Sequence, residues 1–218
     1  MRRSRIVGLG SYVPDWVVKN DDFKQWMDTT DEWIQERTGI RERRWVPFDS
    51  DWGASDLGAE AAKRALADAG MNAEDIQLVV FATLSPDYNF PGCGPLIQRK
   101  LGIPVGAAVL DIRQQCTGFI YGLSIADQFI RTGMYDRVLL VGAERHSSGL
   151  DLSTRGRDVS VIFGDGAGAV VLAPAEDESR CVISTHLHAD GSQFEDLWVE
   201  FPASRYAPRP TATPIRRW

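Results

Sequence analysis

Residues 105–132 read VGAAVLDIRQQCTGFIYGLSIADQFIRT. The first eight positions are almost continuously apolar, the pattern of a strand covered on both faces. Beyond Thr117, the residues Phe119, Ile120, Leu123, Ile125, Ala126, Phe129 and Ile130 occupy most of a helical wheel. A helix apolar on nearly all sides belongs in an interior, and Gly133 stands where a terminating residue is expected. Cys116 therefore falls where a buried strand hands over to the start of a buried helix. Unpartnered amides and the helix dipole converge there, and both favour a thiolate. Gly118 and Gly122 keep the first turns slim enough for another backbone or a substrate to approach. A plainer description, a small apolar core residue, is what a free cysteine usually earns. The segment alone supports the two descriptions equally.

Working outward, residues 138–141 form a short apolar strand and residues 144–158 a polar, loop-like stretch. FGDGAG at 163–168 places three glycines around Asp165, ahead of an apolar strand over 169–173. It lacks the lysine and the strand-then-helix setting of a phosphate loop. Its glycines are expected to let a turn pack near the cysteine. A last strand over 182–188 would put His186 and His188 on one face, but no third ligand accompanies them, so structural histidines are expected rather than a metal site.

Upstream, a first strand over 5–9 is expected to be broken by Gly8, Gly10 and Pro14. Asn20 is a cap for a helix to about Met27. A second short helix follows over 28–37, with Thr30 or Asp31 near its cap. Arg37, Arg41, Arg43 and Arg44 then fall inside eight positions, the densest basic cluster of the chain. Such runs are most often solvated faces. The alternative is an anion site, with Trp33 and Trp45 available to stack a ring. Ser55 caps an alanine-rich helix to Ala69, residues 76–84 are a fully apolar strand, and 85–94 is a breaker-rich loop. Pro95 opens a short helix closed by Gly102. Alternating strands and helices, several strands being wholly apolar, give an α/β protein with a mostly parallel central sheet.

Composition bounds the function. The 218 residues carry 24 basic and 30 acidic side chains, a net charge of −6, which gives no support to nucleic-acid binding. Three cysteines, odd in number and without metal spacing, favour a reducing compartment. No apolar run is long enough for a membrane span, and the first residues lack the apolar core of a signal peptide, so a cytoplasmic location is expected. Residues 202–218 hold four prolines and four arginines without periodicity and read as an irregular tail.

Taken in order, GLGSYVP, TTDEWIQERTGIRERR, QCTGFIYGLSIADQFIRTG, VIFGDGAGAVVL and THLHADGS resemble the β-ketoacyl-[acyl-carrier-protein] synthase III family of the thiolase superfamily, from about Ile6 to Gly191. The resemblance implies a thiolase-like α/β fold, layered αβαβα with a mixed, mostly parallel sheet. Residues 1–173 match its N-terminal half and 174–201 the start of the second half. The C-terminal half is largely missing, as in a truncated or frameshifted member. The family condenses an acyl-CoA starter with malonyl-acyl-carrier protein, and CoA enters as a substrate rather than a permanently bound cofactor. By resemblance Cys116 is the nucleophile that takes the acyl group, and its own amide is an oxyanion donor. Trp33 stacks on the CoA adenine with Thr29 beside it, Arg37 meets the pyrophosphate, and Arg157 lies beside the nucleotide. Phe90 reaches into a neighbouring subunit's acyl pocket, which implies a homodimer. The family's condensing histidine and asparagine have no match among these residues; His146, His186 and His188 are other positions. Gln114 and Gln115 stand where many members have small residues, which points to a reshaped pocket. The resemblance therefore implies an acyltransferase whose condensation step is lost. The alternatives are a sister condensing or acyl-transfer enzyme of secondary metabolism, and a non-catalytic CoA-binding or dimerising fragment.

Overall fold

The computed structural model describes residues 2–177 and 179–199. The chain divides into two units, Met1–Thr185 and His186–Trp218. The irregular tail expected over 202–218 lies outside the described residues.

The first unit is built on a sheet whose central strand, β4 (Leu78–Ala82, LVVFA), is buried at every position. Branched and aromatic side chains on both faces suit a strand with helices above and below. In the order β1-β7-β6-β4-β5 the sheet has five strands: β1 (Ser4–Tyr12), β5 (Ala108–Ile112), β6 (Val138–Arg145) and β7 (Asp165–Pro174) complete it. β4 pairs parallel with both β5 and β6, with Val80 opposite Leu110 and Leu140. β7 runs antiparallel to β6 and β1, so four strands point one way and the sheet is mostly parallel, as expected.

One face of the sheet carries α2 (Ala54–Ala69) and α3 (Gly94–Leu101), whose Ala61, Ala62, Ala65 and Ile97 pack with Val79, Phe81, Leu139 and Val171. The other face carries α4 (Gly118–Arg131), through Ala126 and Ile130 on Val80, Leu140 and Leu172. Gly8 and Gly10 do not break β1, which runs on to Tyr12. They are where α2 presses closest. A Cβ at Gly8 would lie 2.3 Å from the Ala65 carbonyl oxygen, and one at Gly10 2.2 Å from that of Ala61. α2 is also capped differently from the expectation. Gly53 is the N-cap, its amide donates to Asp56 at 2.9 Å, and the Ser55 amide donates to Asp87 at 2.9 Å.

A small second sheet pairs β2 (Trp16–Lys19) with β3 (Glu42–Trp45). Phe23, Trp26 and Phe48 surround Trp45, with ring centroids 5.4–5.9 Å from it. Residues 20–25 form a 3-10 turn rather than a longer helix. Asn20 is not its cap: its amide donates to Asp31 and to the Ile40 carbonyl, both at 2.7 Å. α1 (Asp31–Thr38) starts at Thr30, whose hydroxyl accepts the Trp33 amide at 3.1 Å, and ends at left-handed Gly39.

The strand expected over 182–188 is absent. Its start makes one sheet-like bond, Val182 amide to the Ser4 carbonyl at 2.8 Å, and no ladder follows. In the second unit, the described residues hold a 3-10 turn at Phe194–Asp196 and an edge-on contact of Phe194 with Trp198. Among the described residues no group of three or more metal-ligating side chains exists and no helix is long and apolar enough to cross a membrane.

Candidate active site

Cys116 sits in a 3-10 turn, Gln115–Thr117, between the end of β5 and the first residue of α4. The strand-turn-helix order is the expected one; the burial is not. β5 begins at Ala108, because residues 104–107 form a turn closed by the Ala107 amide on the Pro104 carbonyl. It is an edge strand, and Leu110 is 36% exposed. α4 buries one face, Gly118, Gly122, Ala126, Asp127 and Ile130, and turns Phe119 and Ile120 outward. Cys116 is exposed. Apolar periodicity registers that a face is fit for burial but not what covers it, and among the described residues no element lies beyond β5. The slim turns serve the sheet: a Cβ at Gly118 would meet Ala82 at 3.0 Å and one at Gly122 would meet Leu140 at 2.4 Å. Cys116 is thus neither a core residue nor sealed in packing.

The turn lies at the C-terminal ends of the parallel strands, the usual place for ligands in such sheets. On the far side of β4, Glu144 of β6 holds the turn that follows β4. Its carboxylate accepts the Leu84 and Ser85 amides at 2.8 and 3.0 Å and the Thr83 and Ser85 hydroxyls at 3.0 and 2.6 Å. His146 Nε2 lies 3.9 Å from the same carboxylate, and its ring packs 4.7 Å from Phe163. The loop expected over 144–158 starts instead inside β6, and its polar composition hides this knot. The available signal was an acidic residue at the C-terminal end of an apolar run. Asp111 of β5 accepts the Cys93 and Gly94 amides at 2.7 and 3.0 Å, at the start of α3, and burial raises its carboxyl above the usual range. Burial also pushes the Cys93 thiol up to about 12, with Asp87 and Asp111 beside it. Phe90, in the loop between β4 and α3, is 72% exposed.

A second cluster gathers on α1 and α5 (Arg157–Ser160). The guanidiniums of Arg37 and Arg157 each lie 4.3 Å from the centroid of the Trp33 ring. Arg157 also donates to the Asp28 carbonyl at 2.9 Å. Next to Asp28, Thr29 is 7% exposed and its hydroxyl oxygen has no hydrogen-bond partner. An open recess of about 450 Å³, lined by residues 24–29 and Thr154, adjoins it. The structure therefore brings Thr29, Trp33, Arg37 and Arg157 together, and Cys116 is not part of their cluster.

Two further arginines of the basic run, Arg43 and Arg44, serve the fold. Arg43 is buried, donates to the Val18 and Val161 carbonyls at 3.3 and 2.8 Å, and lies 4.6 Å over Phe23. Burial lowers it to about 10, so it stays charged at neutral pH. Arg44 donates to the Pro14 carbonyl at 3.2 Å. Trp45 is fully buried, with its indole N–H on the Phe163 carbonyl, and is not available to a ligand. The FGDGAG glycines approach β3 and β1 rather than the cysteine: a Cβ at Gly164 would meet Arg43 at 3.2 Å and one at Gly166 the Tyr12 carbonyl oxygen at 3.2 Å. Asp165 there accepts the Ser147 and Val46 amides at 2.9 and 2.8 Å.

Residues 110–191, which include the cysteine turn and the GDGAG strand, match the family model described as 3-Oxoacyl-[acyl-carrier-protein (ACP)] synthase III. The beta-ketoacyl-[acyl-carrier-protein] synthase III of Alkalilimnicola ehrlichii is 48% identical over 197 residues, 90% of this chain and 59% of the relative. The chain belongs to the 3-oxoacyl-[acyl-carrier-protein] synthase III family. It spans about three-fifths of the length of the curated synthase III relatives it matches, 58% to 61%. The crystal structure of the synthase III from Pseudomonas aeruginosa superposes with a TM-score of 0.84 at 39% identity, covering 94% of this chain and 62% of that one. The priming β-ketosynthase of the R1128 polyketide pathway superposes with a TM-score of 0.74 at 38% identity, covering 81% and 51%. The mixed, mostly parallel α/β sheet is thus the thiolase-like fold of the synthase III enzymes.

Proposed function

We propose that this chain carries the acyl-accepting half of a β-ketoacyl-acyl-carrier-protein synthase III reaction. Cys116 Sγ attacks the carbonyl carbon of an acyl-CoA thioester. The carbon–sulfur bond to CoA breaks, the acyl group stays on Cys116, and the CoA thiolate takes the proton the cysteine gave up. The cysteine's own amide is the oxyanion donor in this reading. The nucleotide end of CoA rests on Trp33 between Arg37 and Arg157, with Thr29 beside it. In the whole synthase, malonyl-acyl-carrier protein then loses carbon dioxide and its carbanion attacks the acyl group. The histidine and asparagine that the resemblance requires for that step have no counterpart among these residues. The homodimer, with Phe90 at the partner's acyl pocket, belongs to the same reading, as do a cytoplasmic location and a role in fatty acid synthesis.

The observation that carries the reading is an exposed cysteine on the turn between a parallel strand and a helix, within a chain nearly half identical to synthase III enzymes. Similarity to a polyketide priming synthase favours a second pathway with the same first step, and Gln114 and Gln115 before the cysteine suit a starter other than acetyl. Thiol release from acetyl- to octanoyl-CoA tests the proposal. A stoichiometric burst of free CoA is the expected result. No burst with any donor overturns it.

A further inference from the structure

We propose that Glu144 is a positioning residue for the cysteine turn, acting through Thr83. The inference rests on the reading of Cys116 as the acyl acceptor. Thr83 faces two ways. Its hydroxyl donates to Glu144 at 3.0 Å, while its amide donates at 3.2 Å to the carbonyl of Ile112, the last residue of β5. Cys116 follows four residues later. A carboxylate on β6 is thereby connected across β4 to the end of β5, three neighbouring parallel strands.

The turn needs such an anchor. Gln115 holds φ at +43°, a left-handed conformation that side-chain-bearing residues seldom adopt. Strained backbone of this kind persists only where its surroundings over-determine it. The turn is closed by the Thr117 amide and hydroxyl on the Gln114 carbonyl, at 3.1 and 2.9 Å, and is fastened at its base by Thr83 on Ile112 and by the Asp111 carboxylate on the start of α3. The second fastening, a carboxylate on β5 itself, ties the strand to a helix end. The first leads on to Glu144, which accepts four donors from residues 83–85. A glutamine at 144 keeps the shape and one acceptor oxygen but sets an NH₂ where the other oxygen stood. Donors on that side then lose their acceptor, and the turn is freed to leave its reactive geometry.

The test is single-turnover acyl transfer from acyl-CoA, followed by intact mass over a range of donor concentrations, with thermal melting alongside. Glu144→Gln and Thr83→Val should each lower the saturating rate roughly tenfold and leave the half-saturating concentration within about twofold. Thr83→Ser, which keeps the hydroxyl, should restore the rate, and the double variant should be no slower than the slower single. Two results overturn the proposal: unchanged rates in both Glu144→Gln and Thr83→Val, or Thr83→Ser no better than Thr83→Val with rate, half-saturation and melting temperature falling together. Should Glu144→Gln not fold, the Thr83 pair decides. Absence of any acyl transfer in the unsubstituted protein sinks the functional reading instead. Iodoacetamide alkylation of Cys116 then decides the positioning claim. A rate changed severalfold in Thr83→Val and restored in Thr83→Ser supports it, and equal rates in all three overturn it.

Discussion

Replacing Trp33 with alanine should weaken acyl-CoA binding without slowing the chemistry at Cys116. The magnitude follows from what the indole touches. A nucleotide base stacked on an aromatic side chain contributes about 1–3 kcal/mol by alanine substitution. In the free protein the same ring already holds Arg37 and Arg157 at 4.3 Å, contacts worth about 0.5–1 kcal/mol each at exposed positions. A base must take ring surface from one of them, so part of its stacking energy replaces an existing contact. Deleting the ring removes both, and the net loss is about 1–2 kcal/mol, roughly 5- to 30-fold in affinity. Trp33→Phe should fall between. Calorimetric titration with CoA gives the affinity, and single-turnover acylation gives the saturating rate, expected to stay within about twofold. Unchanged affinity would refute the placement of the nucleotide on Trp33. Unchanged affinity with a slowed saturating rate would place the ring near the reacting carbon instead.

Three further outcomes are expected. Gly10→Val forces a side chain against the Ala61 carbonyl, 2.2 Å from the nearest possible Cβ; urea unfolding should show a loss of about 1–3 kcal/mol or more. Iodoacetamide at pH 8 should label Cys116, which is exposed, and spare Cys93, whose thiol is pushed up to about 12; peptide mapping reads both. The same raised value makes stability sensitive to alkali. Folded Cys93 keeps a proton that the unfolded thiol releases near its ordinary value of 9.0, so the stabilisation is whole below that pH and is lost as pH rises toward about 12. Melting temperatures between pH 8 and 10.5 should fall further in the unsubstituted protein than in Cys93→Ala.

The strands were legible where their apolar runs were unbroken. The apolar runs at 76–84 and 138–141 needed no partner to declare themselves as strands, although β4 is shorter than the first run, Leu78–Ala82, and the alternation with helices foretold a mostly parallel sheet. What covers a face was not legible. Residues 105–112 and 117–132 have the composition of interior elements, yet β5 is an edge strand and α4 buries one face. Gly8 and Gly10 looked like interruptions because their purpose, room for α2, lies more than 50 residues away in the chain. The arginine run could not be divided by inspection. Arg43 is held by the carbonyls of Val18 and Val161, whereas Arg37 lies on Trp33, and nothing in their spacing separates the two fates. Thr29, Trp33 and Arg157 were assembled as a site only through family resemblance, since 124 positions separate Trp33 from Arg157. Glu144 escaped notice because its four donors come from the turn after a neighbouring strand, and strand order cannot be read from one sequence.

The claim on which the account stands is that Cys116 accepts an acyl group. Intact mass of the protein after brief incubation with acyl-CoA tests it most directly, with Cys116→Ala alongside. One acyl increment on the unsubstituted chain, mapped to the peptide that contains Cys116 and absent from the variant, is the predicted result. No increment with any donor, or the same increment on Cys116→Ala, would contradict it.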